Sequence, residues 1–237
     1  MMRMLDLALA IVVAATLDAN LARRLTDYKA HLAVAEQGAG SLELAYREGL
    51  GIAKSLLEVH DHETVLESLD ARARALVDAD LKGFTVNTEE VVFAAPVPNF
   101  FLGLAKKRHD AASIAFFALL KQYKPEGVWP AYIRVQVDYG GCTEFGSMRL
   151  TNLYAAQRAY QAKFPKNYLR EAKEIADAVE NDLTNGTCAC GDKASVEKEF
   201  TAFLAKFPKE PVSVLVEKRL TEVRAGKTAI RFTCTAG

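Results

Sequence analysis

The chain has 237 residues, enough to bury one large hydrophobic core or two small helical ones. Half of the residues are hydrophobic and a quarter are charged, which is the ordinary composition of a globular protein. Thirty Lys and Arg residues balance thirty Asp and Glu residues, so the chain lacks the basic excess of a nucleic-acid-binding protein and the polybasic arm of a membrane-bound one.

The N-terminal residues 1–19 have the pattern of a secretory signal. One cation, Arg3, precedes an eleven-residue run, 7–17, that is apolar except for Thr16. Residues 13–15, Val-Ala-Ala, match the small-residue spacing that signal peptidase recognises, and residues 17–19, Leu-Asp-Ala, are a second choice. The run is too short to span a bilayer, which takes about 20 residues. We therefore expect a periplasmic or secreted protein with no integral membrane segment; the alternative is a cytoplasmic protein in which this run is a buried first helix.

Residues 20–98 are predicted to contain a small bundle of helices. Apolar side chains recur there at the 3.6-residue spacing of a helix. The predicted helices are 20–37, 41–57 and 65–77. Gly38 and Gly40 separate the first two, and Asp61 or Thr64 can cap the third. Short connections between such helices favour a bundle.

The segment 83–98 interrupts this pattern. It is rich in β-branched residues and ends with Pro96 and Pro98, which cannot lie inside a helix and push their neighbours toward extended geometry. We interpret the segment as a linker or a bent connection and place a domain boundary after residue 98. Beyond it, 99–108 and 110–123 are predicted helices.

The most specific feature is an internal repeat in the C-terminal half of the chain. AYQAKFPK at 159–166 recurs as AFLAKFPK at 202–209, a shift of 43 residues. A similar apolar stripe lies 41 residues before the first copy and ends at Tyr123 and Pro125. Each copy predicts an amphipathic helix that ends at its proline.

A second amphipathic helix is predicted after Pro165 and another after Pro208. Two such helices joined by a short loop form an antiparallel hairpin, and hairpins bury their remaining apolar faces by stacking. We therefore predict a mainly α fold. It consists of a helical bundle in 20–98 followed by stacked antiparallel helix hairpins in 99–237, similar to an α-α superhelix, with at most a minor β element.

This arrangement resembles the tetratricopeptide-type helical repeat, especially the bacterial exported variety in which the first helix of a pair ends at an aromatic-proline step. The resemblance covers about residues 110–225. The period of 41 to 44 residues is longer than the ~34 residues of that family. The resemblance implies that a concave surface binds a peptide or protein, and it does not imply catalysis.

Two segments of the repeat region alternate apolar and polar residues, which is a strand pattern. They are 131–138 and 229–234. Either the two pair as a small sheet that closes the repeat array, or each remains merely extended.

All four cysteines, Cys142, Cys188, Cys190 and Cys234, lie in the repeat region. Cys142 precedes the first predicted hairpin, Cys188 and Cys190 separate the two hairpins, and Cys234 follows the second. Because both ends of an antiparallel hairpin lie at the same end of it, we predict the bonds Cys142–Cys188 and Cys190–Cys234. A Cys188–Cys190 bond with a Cys142–Cys234 bond is one alternative, and free thiols are another.

The same cysteines have two further interpretations. Four thiolates match the ligand number of a structural zinc site, although such sites usually contain two close pairs and this chain has one. In a reducing compartment, Cys188 and Cys190 could instead form a redox or copper site. We predict disulfides, with no metal and no cofactor.

A few other residues are candidates for a site. His60, Asp61 and His62 form a local cluster with metal-ligand character, but a solvated helix start capped by Asp61 explains them better. Trp129 is expected to pack at a corner between a helix and a loop, with ligand stacking as the alternative. Trp129, Tyr160 and Tyr168 are the candidate binding residues.

From these patterns we expect an exported, non-enzymatic helical protein that binds a protein or peptide, as a scaffold, an assembly factor or an inhibitor. One alternative is an enzyme whose site lies between the N-terminal helices and the repeat, with His60, His62 or His109. The other is a thiol or metal-binding protein that uses Cys188 and Cys190.

Overall fold

The computed structural model describes residues 17–135 and 141–234. Within them the chain is mainly α-helical, and the β structure is limited to three two-stranded antiparallel sheets. The predicted fold class is therefore confirmed. Residues 1–16, which carry most of the predicted signal, lie outside the described part. Among the described residues, no helix has the length and apolar character needed to cross a membrane.

The chain divides into two compact units. The first contains the chain up to residue 117 and residues 126–128, and the second contains 118–125 and the chain from residue 129 onward. The division falls inside a helix, whereas the predicted boundary at residue 98 lies within the first unit.

The first unit contains six helices or parts of helices and four strands among the described residues. In chain order they are α1 (Ala19–Glu36), α2 (Leu42–Leu56), β1 (Val59–His60), β2 (Glu63–Thr64), α3 (Val65–Ser68), α4 (Ala71–Asp80), β3 (Phe84–Asn87), β4 (Phe93–Pro96), α5 (Pro98–Lys107) and the first part of α6 (Ala111–Tyr123). Helix α1 begins at Ala19 because the Asp18 side chain accepts a hydrogen bond from the Leu21 amide at 3.2 Å. The first two predicted helices correspond to α1 and α2.

An aromatic cluster forms the core of the first unit. The Tyr46 ring meets Phe101 and Phe117 edge to face, each at a centroid distance of 5.1 Å. All three side chains are buried, so the cluster contributes area burial and favourable ring geometry together. Gly49 on α2 leaves room for Phe84, because a Cβ at this position would lie 2.4 Å from that ring. A larger residue at position 49 would therefore push β3 away from α2.

Residues 83–98 form a β-hairpin and not the linker that their prolines suggested. Strand β3 pairs antiparallel with β4, with Phe84 opposite Pro96, and the buried Phe84 anchors the hairpin in the aromatic core. Pro96 ends β4, and Pro98 lies in the first turn of α5, where the missing proline N–H costs little. The prolines mark the ends of these elements and do not separate two domains.

The third predicted helix is divided into α3 and α4. Thr64 caps α3 through reciprocal hydrogen bonds with Glu67, and the Asp70 carboxylate caps α4 by accepting from the Ala73 amide at 2.7 Å. Asp61 does not cap a helix. It and His62, with φ of +50° and +77°, form the two-residue turn between β1 and β2, a turn that requires positive φ at both positions.

The second unit contains the helix hairpins. After the end of α6 its elements are β5 (Ile133–Val135), β6 (Gly141–Thr143), α7 (Arg149–Lys163), α8 (Leu169–Asn185), α9 (Lys193–Lys206) and α10 (Pro211–Arg224). Helices α7 and α8 pack as one hairpin and α9 and α10 as the next, with α9 also against α7 and α10 against α8. The two predicted hairpins are confirmed. After α6 the chain continues to β5, so the first copy of the repeat has no second helix.

The repeated aromatic-proline step has the same local structure in both hairpins. Phe164 ends α7 with φ −130° and ψ 62°, and Phe207 ends α9 with φ −129° and ψ 55°. Their amides donate to the carbonyls of Tyr160 and Phe203, each at 2.8 Å. The two copies of the sequence repeat therefore have the same backbone geometry. The apolar stripe of each helix faces the core, since Tyr160 and Phe203 are buried.

The two predicted strand segments do not pair with each other among the described residues. Strand β5 pairs with β6, with Ile133 opposite Thr143, and residues 136–138 of the first segment lie outside the described part. In the second segment only Arg231 forms a bridge, parallel to Cys188. The second strand pattern thus describes an extended C-terminal segment.

Candidate functional site

The second unit has a cleft with a volume of about 240 Å³ between the end of α6 and the start of α7. It is lined by Gln122, Ala131, Tyr132, Arg149, Asn152 and Leu153. The side chains of Gln122 and Asn152 are exposed, whereas Tyr132 and Leu153 are buried. The cleft therefore combines a polar, accessible edge with a largely apolar floor.

A buried carboxylate from α9 holds the start of α7, where the cleft lies. Glu199 is fully buried. Its Oε2 accepts from the amides of Gly146 and Met148, each at 2.9 Å, and its Oε1 accepts from the amide and the hydroxyl of Thr151 at 3.0 and 2.8 Å. Amides at a helix start have no partner within the helix. Glu199 supplies the missing partner and so fixes Arg149, the first residue of α7.

Arg149 is fixed further by its own guanidinium. Nη1 donates to the carbonyl oxygen of Ala131 at 2.6 Å and to Oε2 of Glu144 at 2.8 Å. Oε1 of the same Glu144 accepts from Nε and Nη2 of Arg134 at 3.0 and 2.7 Å. Two guanidinium groups thus share one carboxylate, and the Arg149 side chain remains 55% exposed.

Tyr132 belongs to the cleft and to a buried polar cluster behind it. The residue is 1% exposed, and its hydroxyl lies near the Tyr123 hydroxyl and the Asp182 carboxylate. Burial, followed by the negative charge of Asp182, raises the pKa of Tyr132 far above its ordinary value. For Tyr123, burial first and Asp182 second raise the pKa to about 12. Both phenols therefore stay protonated at neutral pH, and Tyr132 serves the cleft as an uncharged surface.

The structure buries two of the three candidate binding residues. Tyr160 is 5% exposed, and its hydroxyl donates to the Asn167 carbonyl at 3.0 Å. Tyr168, which precedes α8 with φ +46°, is 1% exposed. Both side chains form part of the core. Trp129 differs, since 41% of it is exposed.

The histidines lie in the first unit. His60 and His62 are exposed on the β1–β2 hairpin, His31 Nδ1 lies 2.7 Å from a carboxylate oxygen of Glu48, and His109 follows α5 with φ +53°. Within 17–135 and 141–234, no three His, Cys, Asp or Glu side chains are placed to hold a metal ion together.

All four cysteines form disulfides, but the predicted pairing is wrong. Cys142 is bonded to Cys190 and Cys188 to Cys234, with Cα–Cα distances of 5.0 and 5.9 Å. Each bond still joins the two ends of one helix hairpin. The paired sulfurs cannot serve as thiolate ligands, and disulfides are typical of proteins that fold in an oxidising compartment.

The exchange of partners follows from the path of residues 187–191. This segment bridges to β6 through Ala189 and Thr143 and to the C-terminal segment through Cys188 and Arg231. The Cys190 amide donates to the Thr143 carbonyl at 3.0 Å, which brings Cys190 beside Cys142. The predicted pairing assumed that each hairpin ends before the next begins, whereas the two closures overlap at the Cys-x-Cys.

Sequence reasoning missed Gln122, Arg149 and Asn152, and it missed Glu199. Nothing in the sequence around Arg149 indicates a site. It is a single cation at the start of a helix, and the residue that caps this helix, Glu199, lies 50 residues further along the chain. A stronger signal was present for Glu199, a charged residue within the apolar stripe of α9, beside Phe200 and between Val196 and Phe203. A charge at such a position indicates a buried polar contact.

Comparison with known proteins gives no relative for this chain. No protein-family model, no curated protein and no solved structure matches it.

Proposed function

We propose that this is an exported, non-enzymatic protein that binds a peptide segment of a protein partner in the cleft between α6 and α7. The observation that carries the proposal is the cleft itself, a concave, accessible site lined by residues of α6, of α7 and of the segment between them. The predicted resemblance to peptide-binding helical repeats favours the same kind of ligand.

The size of the cleft favours a peptide over a small-molecule substrate. Sites that enclose small molecules have volumes of roughly 300–1,000 Å³, and this cleft has about 240 Å³. One apolar side chain can occupy it against Leu153 and Tyr132. The amide groups of Gln122 and Asn152 can each donate to and accept from an extended peptide backbone.

Export is supported by two independent features. Two disulfides indicate an oxidising compartment, and the first residues have the composition of a secretory signal. A periplasmic or secreted location fits both.

Peptide selection tests the proposed function. The oxidised protein is used to select binders from a random-peptide phage library, and the enriched peptides are measured by fluorescence anisotropy. We expect Ala131→Phe, which fills the cleft, to weaken binding about tenfold or more. Ala159→Phe makes the same change at an exposed position of α7; it is the matched control and should leave affinity unchanged. If nothing is enriched, or if the enriched peptides bind Ala131→Phe as well as wild type, the proposal is wrong.

A further inference from the structure

We propose that the peptide carries a carboxylate next to an apolar side chain, and that Arg149 is the residue that binds this carboxylate. The inference rests on the proposed function, since it names the chemistry of the ligand for the same cleft.

Arg149 uses only one of its nitrogens in the side-chain hydrogen bonds that the structure describes. Both bonds, to the Ala131 carbonyl and to Glu144, come from Nη1. Nε and Nη2 lie on the opposite edge of the planar group, and their N–H bonds form the fork that fits the two oxygens of a carboxylate. The bonds from Nη1 hold this edge in place before a ligand arrives, so little side-chain entropy is lost on binding.

The charge around Arg149 favours an anion. Arg134 and Arg149 share the single carboxylate of Glu144, so this group of described side chains has one positive charge in excess. Glu144 is only 19% exposed, whereas the two arginine side chains are 62% and 55% exposed. The buried part of the group is thus the negative charge, and the accessible part is positive.

Leu153 determines what lies beside the carboxylate. It follows Arg149 by four residues in α7 and therefore lies on the same face of the helix, one turn further on. An apolar side chain of the ligand on Leu153 and Tyr132 places a neighbouring carboxylate within reach of Arg149. The carboxylate can come from the C-terminus of a chain or from an Asp or Glu side chain, and the chemistry at Arg149 is the same.

The test uses two matched pairs of fluorescein-labelled peptides and measures their affinity by anisotropy. The first pair is a glycine-serine peptide that ends in leucine, with either a free C-terminal carboxylate or a C-terminal amide. The second pair has an amidated end and carries leucine next to either glutamate or glutamine. We expect the acidic member of at least one pair to bind about tenfold more tightly than its neutral partner. The pair that discriminates identifies the source of the carboxylate.

Variants locate the effect at Arg149. Arg149→Gln keeps a donor for the Ala131 carbonyl and should abolish the preference for the acidic peptide. Arg158→Gln, an exposed arginine on the same helix that pairs with Glu210, should retain it. Glu144→Gln keeps the bond from Arg149 to the Ala131 carbonyl and an acceptor oxygen at position 144. It removes the competing negative charge, so the acidic peptide should bind more tightly. This opposite sign separates loss of a charge contact from loss of folding.

The outcomes separate the two proposals. If acidic and neutral peptides bind equally, or none of them binds, while the selected library peptides remain sensitive to Ala131→Phe, the carboxylate is wrong and peptide binding stands. Equal binding of the acidic peptide by Arg149→Gln and wild type also overturns the inference. Failure of the library selection removes the proposed function itself.

Discussion

Asp182 is a carboxyl group that the folded protein makes a weaker acid. It lies on α8 with the Thr143 hydroxyl 3.5 Å away. Burial raises its pKa, and the nearby hydroxyl groups of Tyr132 and Thr143 together with the charge of Arg219 oppose this effect only in part. The folded chain therefore holds this proton more tightly than the unfolded chain, whose Asp has a pKa of about 3.9. Through this residue, stability falls as the pH rises from about 4 through the raised pKa.

We expect Asp182→Asn to remove this pH dependence. The free energy of unfolding of the variant minus that of wild type should increase with pH from about pH 4 and become constant above the raised pKa of Asp182. Urea unfolding at a series of pH values measures the difference. Asp177→Asn, on the exposed side of the same helix, where Asp177 pairs with Lys173 at 2.6 Å, is the control without a buried carboxylate. A constant difference for Asp182→Asn would contradict the expectation.

At the scale of single elements, side chains from distant parts of the chain bind the open backbone groups at several helix ends. The Arg108 guanidinium, just after α5, donates to the Ala35 carbonyl in the last turn of α1 at 2.6 Å and to the Gly40 carbonyl in the loop that follows at 2.7 Å. In the second unit Arg219 of α10 donates to the Leu183 carbonyl at the end of α8, at 2.7 Å. Glu199 does the same for the start of α7. Each contact satisfies backbone groups that the helix itself leaves open, and each joins two elements.

We expect Glu199→Gln to cost about 3 kcal/mol of the free energy of unfolding. The carboxylate accepts four hydrogen bonds, whereas an amide offers one oxygen and turns its NH₂ group toward amides that also donate. A buried donor without an acceptor costs roughly 1–3 kcal/mol, and hydrogen bonds to a charged group contribute about 1.5–3 kcal/mol.

Urea unfolding of the oxidised protein measures this cost. Glu197→Gln is the matched control, because it makes the same change on α9 at a partly exposed position with ion pairs of 3.7 and 3.8 Å to Lys193 and Arg224. Such pairs contribute less than about 1 kcal/mol. Equal effects of the two substitutions would show that Glu199 does not hold the start of α7.

The parts of the fold that could be predicted from the sequence are those that depend on residues within one element. Periodicity and prolines locate α1, α2 and the hairpins α7–α8 and α9–α10, because both signals act within one element. The split between α3 and α4 and the β3–β4 hairpin were missed, since a buried Phe84 and a cap at Asp70 decide them. The candidate site was missed because its residues come from α6, a loop and α7. No spacing in the sequence brings them together.

At the scale of the whole molecule, the disulfide pairing could likewise be predicted only in part, because it depends on contacts between distant segments. The hairpin repeat predicts which chain segments meet, and it is correct that each bond closes one hairpin. The choice between Cys188 and Cys190 depends on how residues 187–191 lie between β6 and the C-terminal segment. This is a contact among three distant parts of the chain, and the Cys-x-Cys spacing alone does not predict it.

The pairing can be tested with variants that remove two cysteines at a time. In Cys188→Ser with Cys234→Ser, we expect Cys142 and Cys190 to form their bond, so that the unreduced protein gains no mass with an alkylating reagent. In Cys142→Ser with Cys188→Ser, each native bond loses one partner, and we expect Cys190 and Cys234 to be alkylated. The opposite result would restore the pairing predicted from the sequence.

The two disulfides also stabilise the folded chain. They close loops of 48 and 46 residues. Loss of either should therefore lower the free energy of unfolding by about 4 kcal/mol on the chain-entropy model, which urea unfolding of the first variant measures.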